Sequence, residues 1–141
     1  MPQPMTTVRV EFDIPLANRV ALDAAERGIR AATIEGQSIL KADLLSRPGT
    51  GRLYQRGKTV EHRASAPGEP PAPDTGELRR RIEVDVLRGP TEVRGVITAN
   101  VEYAAALELG TERVRPRPFL SRLARDYSAR LVQAFNKFAG G

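Results

Sequence analysis

The stretch Ile82-Glu-Val-Asp-Val-Leu-Arg-Gly-Pro-Thr-Glu-Val-Arg-Gly-Val-Ile-Thr98 decides the fold. Ile82, Val84 and Val86 alternate with Glu83 and Asp85, the two-residue period of a strand with one buried face. Gly89-Pro90 breaks the run and residues 91–98 return as a partner, so the segment reads as an antiparallel hairpin with a connection of about two to four residues. Gly95 marks a bulge or a close backbone approach in the returning strand. A second alternating run lies near the N-terminus. Val8, Val10, Phe12 and Ile14 fall on one side, and Arg9, Glu11 and Asp13 on the other. Pro15 ends that strand and suits the first turn of a following helix.

Working outward, the period changes to that of a helix over residues 16–45. Leu22, Ala25, Ile29, Ala32, Gly36 and Ile39 recur at spacings of three and four and form the core stripe. Asp23, Glu26, Arg27, Arg30 and Glu35 fall outside it. Gly28 and Gly36 each weaken the helix by about 1 kcal/mol relative to alanine and mark close packing or a bend. Arg47-Pro48-Gly49 stops it. Beyond the hairpin, residues 101–109 read as a short helix stopped by Gly110. Pro116 and Pro118 bracket an extended turn. A last helix spans 119–138, with Leu120, Leu123, Tyr127, Leu131, Ala134 or Phe135, and Phe138 as its apolar stripe. The expected fold class is α+β: a small antiparallel sheet packed by a long N-terminal helix and a C-terminal helix, with a long Pro/Gly-rich arm. The chain reads as one domain, 1–141, with the arm at about 47–76.

That arm is unlike the rest. Residues 51–57 and 59–62 can form a short β-ribbon. After it, Pro67, Pro70, Pro71 and Pro73 each fix φ and remove a donor. The segment is a stiff extended arm rather than a Gly/Ser tether. It stops at Asp74-Thr75-Gly76-Glu77, a helix start in which Asp74 or Thr75 caps the first amides. Such an arm buries little on its own, so it is expected to be ordered by neighbouring subunits.

Composition narrows the function. Aromatic residues are 5% of the chain and Trp is absent, so the core is aliphatic. There is no cysteine, which excludes disulfides and thiolate metal sites, and His62 is the only histidine. No apolar run approaches the roughly 20 residues that cross a bilayer. The N-terminus lacks a basic region followed by an apolar one, so a protein made or assembled in the cytoplasm is expected. His62, Ser65 and Asp74 are the residue types of a hydrolytic triad, but a triad is a geometry, and a proline-rich arm supplies no scaffold for one. No catalytic residue, metal site or cofactor is expected.

Lys+Arg is 22 against 17 Asp+Glu, a net charge of +5, with only Lys41, Lys58 and Lys137 as lysines. The cations fall into two groups. Arg47, Arg52, Arg56, Lys58 and Arg63 lie in the arm; Arg113, Arg115, Arg117, Arg122, Arg125 and Arg130 lie before and along the last helix. Such clusters bind phosphate backbone without reading sequence, or face acidic patches on neighbouring subunits.

The run from His62 through Pro67, Pro70, Pro71 and Asp74 to Leu78 precedes the hairpin. Asn100-Val-Glu-Tyr-Ala-Ala-Ala-Leu-Glu-Leu-Gly-Thr111 and Arg115-Pro-Arg-Pro-Phe-Leu120 follow it and lead into the terminal helix. In that order and spacing the chain resembles the tail-completion (type 1 neck) family of long-tailed bacteriophages and related prophages. The resemblance covers most of the chain from about His62 onward. Arg81 stands where many relatives have a small polar residue, and the Arg-Pro-Arg-Pro segment is more basic than many. The resemblance implies a non-enzymatic virion structural protein at the head–tail junction. It implies a homo-oligomeric ring of six copies, meeting the head-closure (stopper) protein and the tail-terminator or tail tube protein, with incidental contact with genomic DNA in the lumen and none with membrane. The alternatives are a tail-terminator protein proper and a small basic DNA-binding protein.

Interface candidates follow from both readings. In the arm they are Arg52, Tyr54, Arg56, His62, Arg63, Pro67, Pro70, Pro71 and Asp74. After the hairpin they are Tyr103, Glu108, Thr111, Arg115, Arg117 and Phe119. Tyr103 offers apolar area with a polar tip. Glu108 can pair with arginines of the following segment. Pro116 and Pro118 pre-set the turn that presents Phe119. For Tyr103, Leu107 and Phe119 the alternative is that they belong to the core of their own subunit.

Overall fold

The computed structural model describes residues 8–15, 19–47, 49, 53–56, 60–63, 69–71, 76–113 and 115–140. The fold is α+β. Strand β1 (Val8–Pro15) leads to helix α1 (Arg19–Ile39), whose last turn widens into a π-helical turn, Leu40–Leu44. The ribbon β2 (Leu53–Arg56) and β3 (Val60–Arg63) follows, then the single turn α2 (Glu77–Arg80). The hairpin is β4 (Ile82–Arg88) and β5 (Glu92–Ala99). Helices α3 (Ala104–Leu109), α4 (Leu120–Asp126) and α5 (Ser128–Ala139) complete the chain.

The main sheet has the order β1-β5-β4, all antiparallel. The central strand is therefore the returning arm of the hairpin, and Val93, Ile97 and Ala99 are buried at its core face. Pairing runs without interruption from Val8↔Ala99 to Pro15↔Glu92 and from Ile82↔Ala99 to Arg88↔Val93. Gly95 thus sits in regular register, opposite Phe12 and Val86, and the bulge alternative at this position is corrected. A three-residue connection closed by the Gly89 N–H donating to the Glu92 carbonyl at 2.8 Å joins the strands.

Helix α1 lies across β4 and β5, and α5 packs against α1. All six residues of the expected stripe, Leu22, Ala25, Ile29, Ala32, Gly36 and Ile39, are buried. Thr33 is buried too, and its hydroxyl donates to the Ile29 carbonyl at 2.6 Å. The two glycines mark close packing. A Cβ on Gly36 would stand 2.7 Å from Ile97 Cδ1 and 3.3 Å from Leu123 Cδ2. One on Gly28 would stand 2.5 Å from Phe135 Cδ2 and 2.8 Å from Ala139 Cβ. Ion pairs fasten the layers: Arg88 reaches Asp23 at 2.5 Å and Glu26 at 3.0 Å, and Arg130 reaches Glu35 at 2.5 Å. Gln37 Nε2 donates to the Ile82 carbonyl at 2.9 Å, tying α1 to the first residue of β4.

Two local expectations differ from the structure, and a third falls on residues outside those described. The terminal helix is two helices, broken at Tyr127 (φ −122°, ψ 12°). No proline or glycine stands there. The Tyr127 hydroxyl donates to Asp43 Oδ2, and Arg47 Nη2 donates to that hydroxyl at 2.9 Å, so the break falls where a side chain is held across the molecule by the end of the π-helical turn. Backbone bonds meet at Tyr127 from both sides, its N–H donating to the Leu123 carbonyl and its carbonyl accepting from Leu131 N, so the result is a bend. Phe138 is exposed rather than part of the stripe, because α5 turns Leu131, Phe135 and Ala139, spaced four apart, towards α1 and leaves Phe138 off that line; Leu120, Leu123 and Leu131 are buried. At α2 the N-cap position is Gly76 in the left-handed region (φ 79°), with no side-chain cap, while Asp74 and Thr75 lie outside the described residues.

Two predictions follow from this packing. Gly28→Ala should destabilise the protein even though alanine favours helix by about 1 kcal/mol. Ala139 Cβ moves only with its helix, so overpacking of about 1–3 kcal/mol prevails. A raised urea midpoint would contradict the close approach. The Arg47 hydrogen bond, and then that of Tyr127, hold the Asp43 carboxyl below the usual carboxylate value. A carboxylate with a depressed folded value stabilises above its unfolded value, about 4, and that stability is lost as pH falls through the folded value. Asp43→Asn should therefore lower the midpoint at pH 7 and flatten its decline below about pH 4. Equal acid sensitivity in both proteins would refute the assignment.

Candidate interaction site

The functional candidates after the hairpin converge on one joint between α3 and α4. The chain leaves β5 at Asn100, whose N–H donates to the Arg81 carbonyl at 3.0 Å, and enters α3 beside β1. Ala104 and Glu108, four residues apart on one face, are the buried residues of α3. A carboxylate at a core position must find donors. The Glu108 carboxylate finds three backbone amides at the start of α4: Oε2 accepts from Phe119 N at 2.8 Å and Leu120 N at 3.0 Å, and Oε1 accepts from Ser121 N at 2.8 Å. These are orphan amides of a helix start, where a negative charge is also favoured by the peptide dipoles.

This corrects the expectation that Glu108 pairs with the following arginines. Those arginines are left outside. Gly110 stops α3 at φ 76°, a conformation that glycine adopts without a Cβ penalty, and its N–H donates to the Ala106 carbonyl at 2.9 Å. The loop returns through Arg117, whose N–H donates to the Leu107 carbonyl at 2.6 Å. Between these two ties Thr111, Glu112, Arg113, Arg115 and Pro116 are exposed. The loop is internally braced. The Thr111 hydroxyl accepts from Arg113 N at 3.3 Å, and Arg117 Nη1 donates to the Arg115 carbonyl at 3.2 Å.

Phe119 is fully buried within this chain, so its place among the interface candidates is corrected: it is core, packed with Leu120, Leu123 and the leucines of the π-helical turn. Its ring anchors the loop from inside. Tyr103 is 42% exposed and Leu109 66%, so both contribute apolar area at the surface beside the arginines. Leu107 is partly buried against the core.

In the arm, Pro70 and Pro71 are buried in the isolated chain, so these two candidates are corrected as surfaces free for a neighbour. In the ribbon, Tyr54 and His62 are register partners, as are Leu53 with Arg63 and Arg56 with Val60, so His62 is part of a β-ladder. Arg52, Pro67 and Asp74 lie outside the described residues. Among the described residues no group of three or more His, Asp or Glu side chains could hold a metal ion. No described helix is long and apolar enough to cross a membrane.

The sequence reading missed the Asp43–Arg47–Tyr127 cluster, in which Tyr127 meets two polar groups 84 and 80 positions upstream. Only the i,i+4 spacing of Asp43 and Arg47 gave a local sign of it.

No family model matches the chain, and no solved structure matches it. Among curated proteins it is similar to histone-lysine N-methyltransferase SETD1A of Homo sapiens, with 29% identity over 133 residues. That match takes in 93% of this chain and 7% of the human protein, so the chain spans about 7% of the length of that relative.

Glu108→Ala should orphan three amides next to a buried ring. A loss of about 2 kcal/mol or more is expected from the charge-assisted bonds alone. Glu108→Gln keeps one acceptor oxygen and should lose less. Urea unfolding of the three proteins checks the order, and an alanine variant as stable as the parent would refute the capping role.

Proposed function

We propose that this chain is a structural component of a bacteriophage head–tail junction. In this reading it forms a ring that joins the head-closure (stopper) protein to the tail-terminator or tail tube protein. It works by contact alone, without catalysis or cofactor. Its setting is the virion, assembled in the host cytoplasm.

The observation that carries the reading is the joint between α3 and α4. A buried carboxylate, a glycine turn and a buried phenylalanine tie both ends of one exposed loop to the domain, and Arg113 and Arg115 of that loop face outward. Rigid presentation of charge on a small domain suits recognition of another surface, because little ordering entropy is left to lose on docking. The order of the sequence segments around that joint, and its resemblance to the tail-completion pattern, support the setting.

Deleting the gene from its phage should leave DNA-filled heads and tail tubes that fail to join stably. Arg115→Glu combined with Arg117→Glu should impair joining as well, since charge reversal adds repulsion as it removes attraction. Electron microscopy of lysates reads both. Normal numbers of intact, infectious particles after complete deletion would reject the reading. Steeply salt-dependent DNA binding by the purified protein in that case would favour a basic DNA-binding protein instead.

A further inference from the structure

We propose that copies of this chain associate head to tail, with the outward row of β4 in one copy seated against the α3 surface and its loop in the next. The proposal rests on the ring reading above for its setting and on the following geometry for its contacts.

On β4 the core-facing residues are Ile82, Val84 and Val86. The alternate residues Glu83, Asp85 and Leu87 form an exposed row, two carboxylates followed by an apolar side chain that is 49% exposed. Among the described residues no cation forms an ion pair with Glu83 or Asp85; the neighbouring arginines of that sheet face, Arg9 and Arg94, pair with Glu11 instead. The α3 surface and its loop have the complementary make-up. Tyr103 and Leu109 supply exposed apolar area; Glu102 and Glu112 are exposed there too, but Arg113 and Arg115 lie together at the loop with no ion pair to a described carboxylate, and Arg117 adds a third cation.

Position separates the two surfaces. Strand β4 is one edge of the sheet, whereas α3 packs beside β1 at the other edge. Each copy therefore offers an acidic edge and a basic edge, which is the arrangement of a heterologous contact. The alternative two-fold contact, β4 against β4, would place the like-charged pairs Glu83 and Asp85 of two copies together, an unfavourable cross-strand arrangement. Charge thus selects the head-to-tail mode and rejects the symmetric one.

Two charge-reversed proteins test this. The first carries Glu83→Arg with Asp85→Arg, and the second carries Arg113→Glu with Arg115→Glu. All four positions are exposed, and circular dichroism confirms folding. By sedimentation at low salt each variant alone should self-associate about tenfold or more weakly than the parent. Mixed together they should recover association, because every contact between unlike copies is again complementary. The lack of cysteine in the chain allows a second readout. Asp85→Cys and Arg115→Cys proteins, mixed under mild oxidation, should form the mixed disulfide faster than either forms its own. A parent that stays monomeric at every concentration, variants that associate like the parent, or a mixture that does not recover would each overturn the contact. The head–tail reading would survive any of these, since it is decided by the particles formed without the gene.

Discussion

The fold depends on how closely other elements approach α1. That helix is covered by the sheet on one side and by α5 on another, and both approaches are made where a side chain is missing. At Gly36 the space of a Cβ is taken by an isoleucine from the central strand, and at Gly28 by a phenylalanine ring of α5. The glycines cost helix propensity, about 1 kcal/mol each. They return it by letting two layers close on one helix in a chain with few aromatic residues to fill a wider gap. Almost every other feature is referred to this contact: the ion pairs of Arg88 and Arg130 reach α1 from β4 and α5, and Gln37 fixes its position along the sheet.

Much of this was legible in the sequence because it is local. The alternation on both sides of Gly89-Pro90 reports a half-buried hairpin, and the stripe from Leu22 to Ile39 reports the buried side of α1. Each follows from periodicity within a dozen or so residues. What sequence could not give is what depends on partners far along the chain. Gly95 is central in the sheet only because β1 pairs on its far side, with Phe12 opposite it. The bend at Tyr127 has no proline or glycine to announce it, since its hydroxyl is bonded to Asp43, 84 positions away. Glu108 was visible as a carboxylate near arginines, and pairing by charge was the natural reading. The signal that pointed elsewhere was its phase, four residues after Ala104 on the inward face of a short helix.

The arm and the loop also changed places in importance. The proline-rich arm stands out in sequence, yet Pro70 and Pro71 are buried in the chain's own structure. The loop between Gly110 and Pro118 shows in sequence only by its arginines and prolines. Its ends are fixed by backbone bonds from Gly110 and Arg117, and its exit by the Glu108 carboxylate. Its exposed charges are guanidinium groups with several donors each.

The grip of Glu108 on α4 also has a mechanical side. A pull on the loop away from the domain reaches the core along the chain at Phe119. There it meets three hydrogen bonds that converge on one carboxylate, so the tension is divided among them instead of parting them in turn. Behind them lies a ring with no exposed surface, which would have to be drawn out of the core before the loop could lengthen. The exit of the loop is thus a firm anchor: a force that reaches Phe119 is passed to the body of the domain before that end can give way.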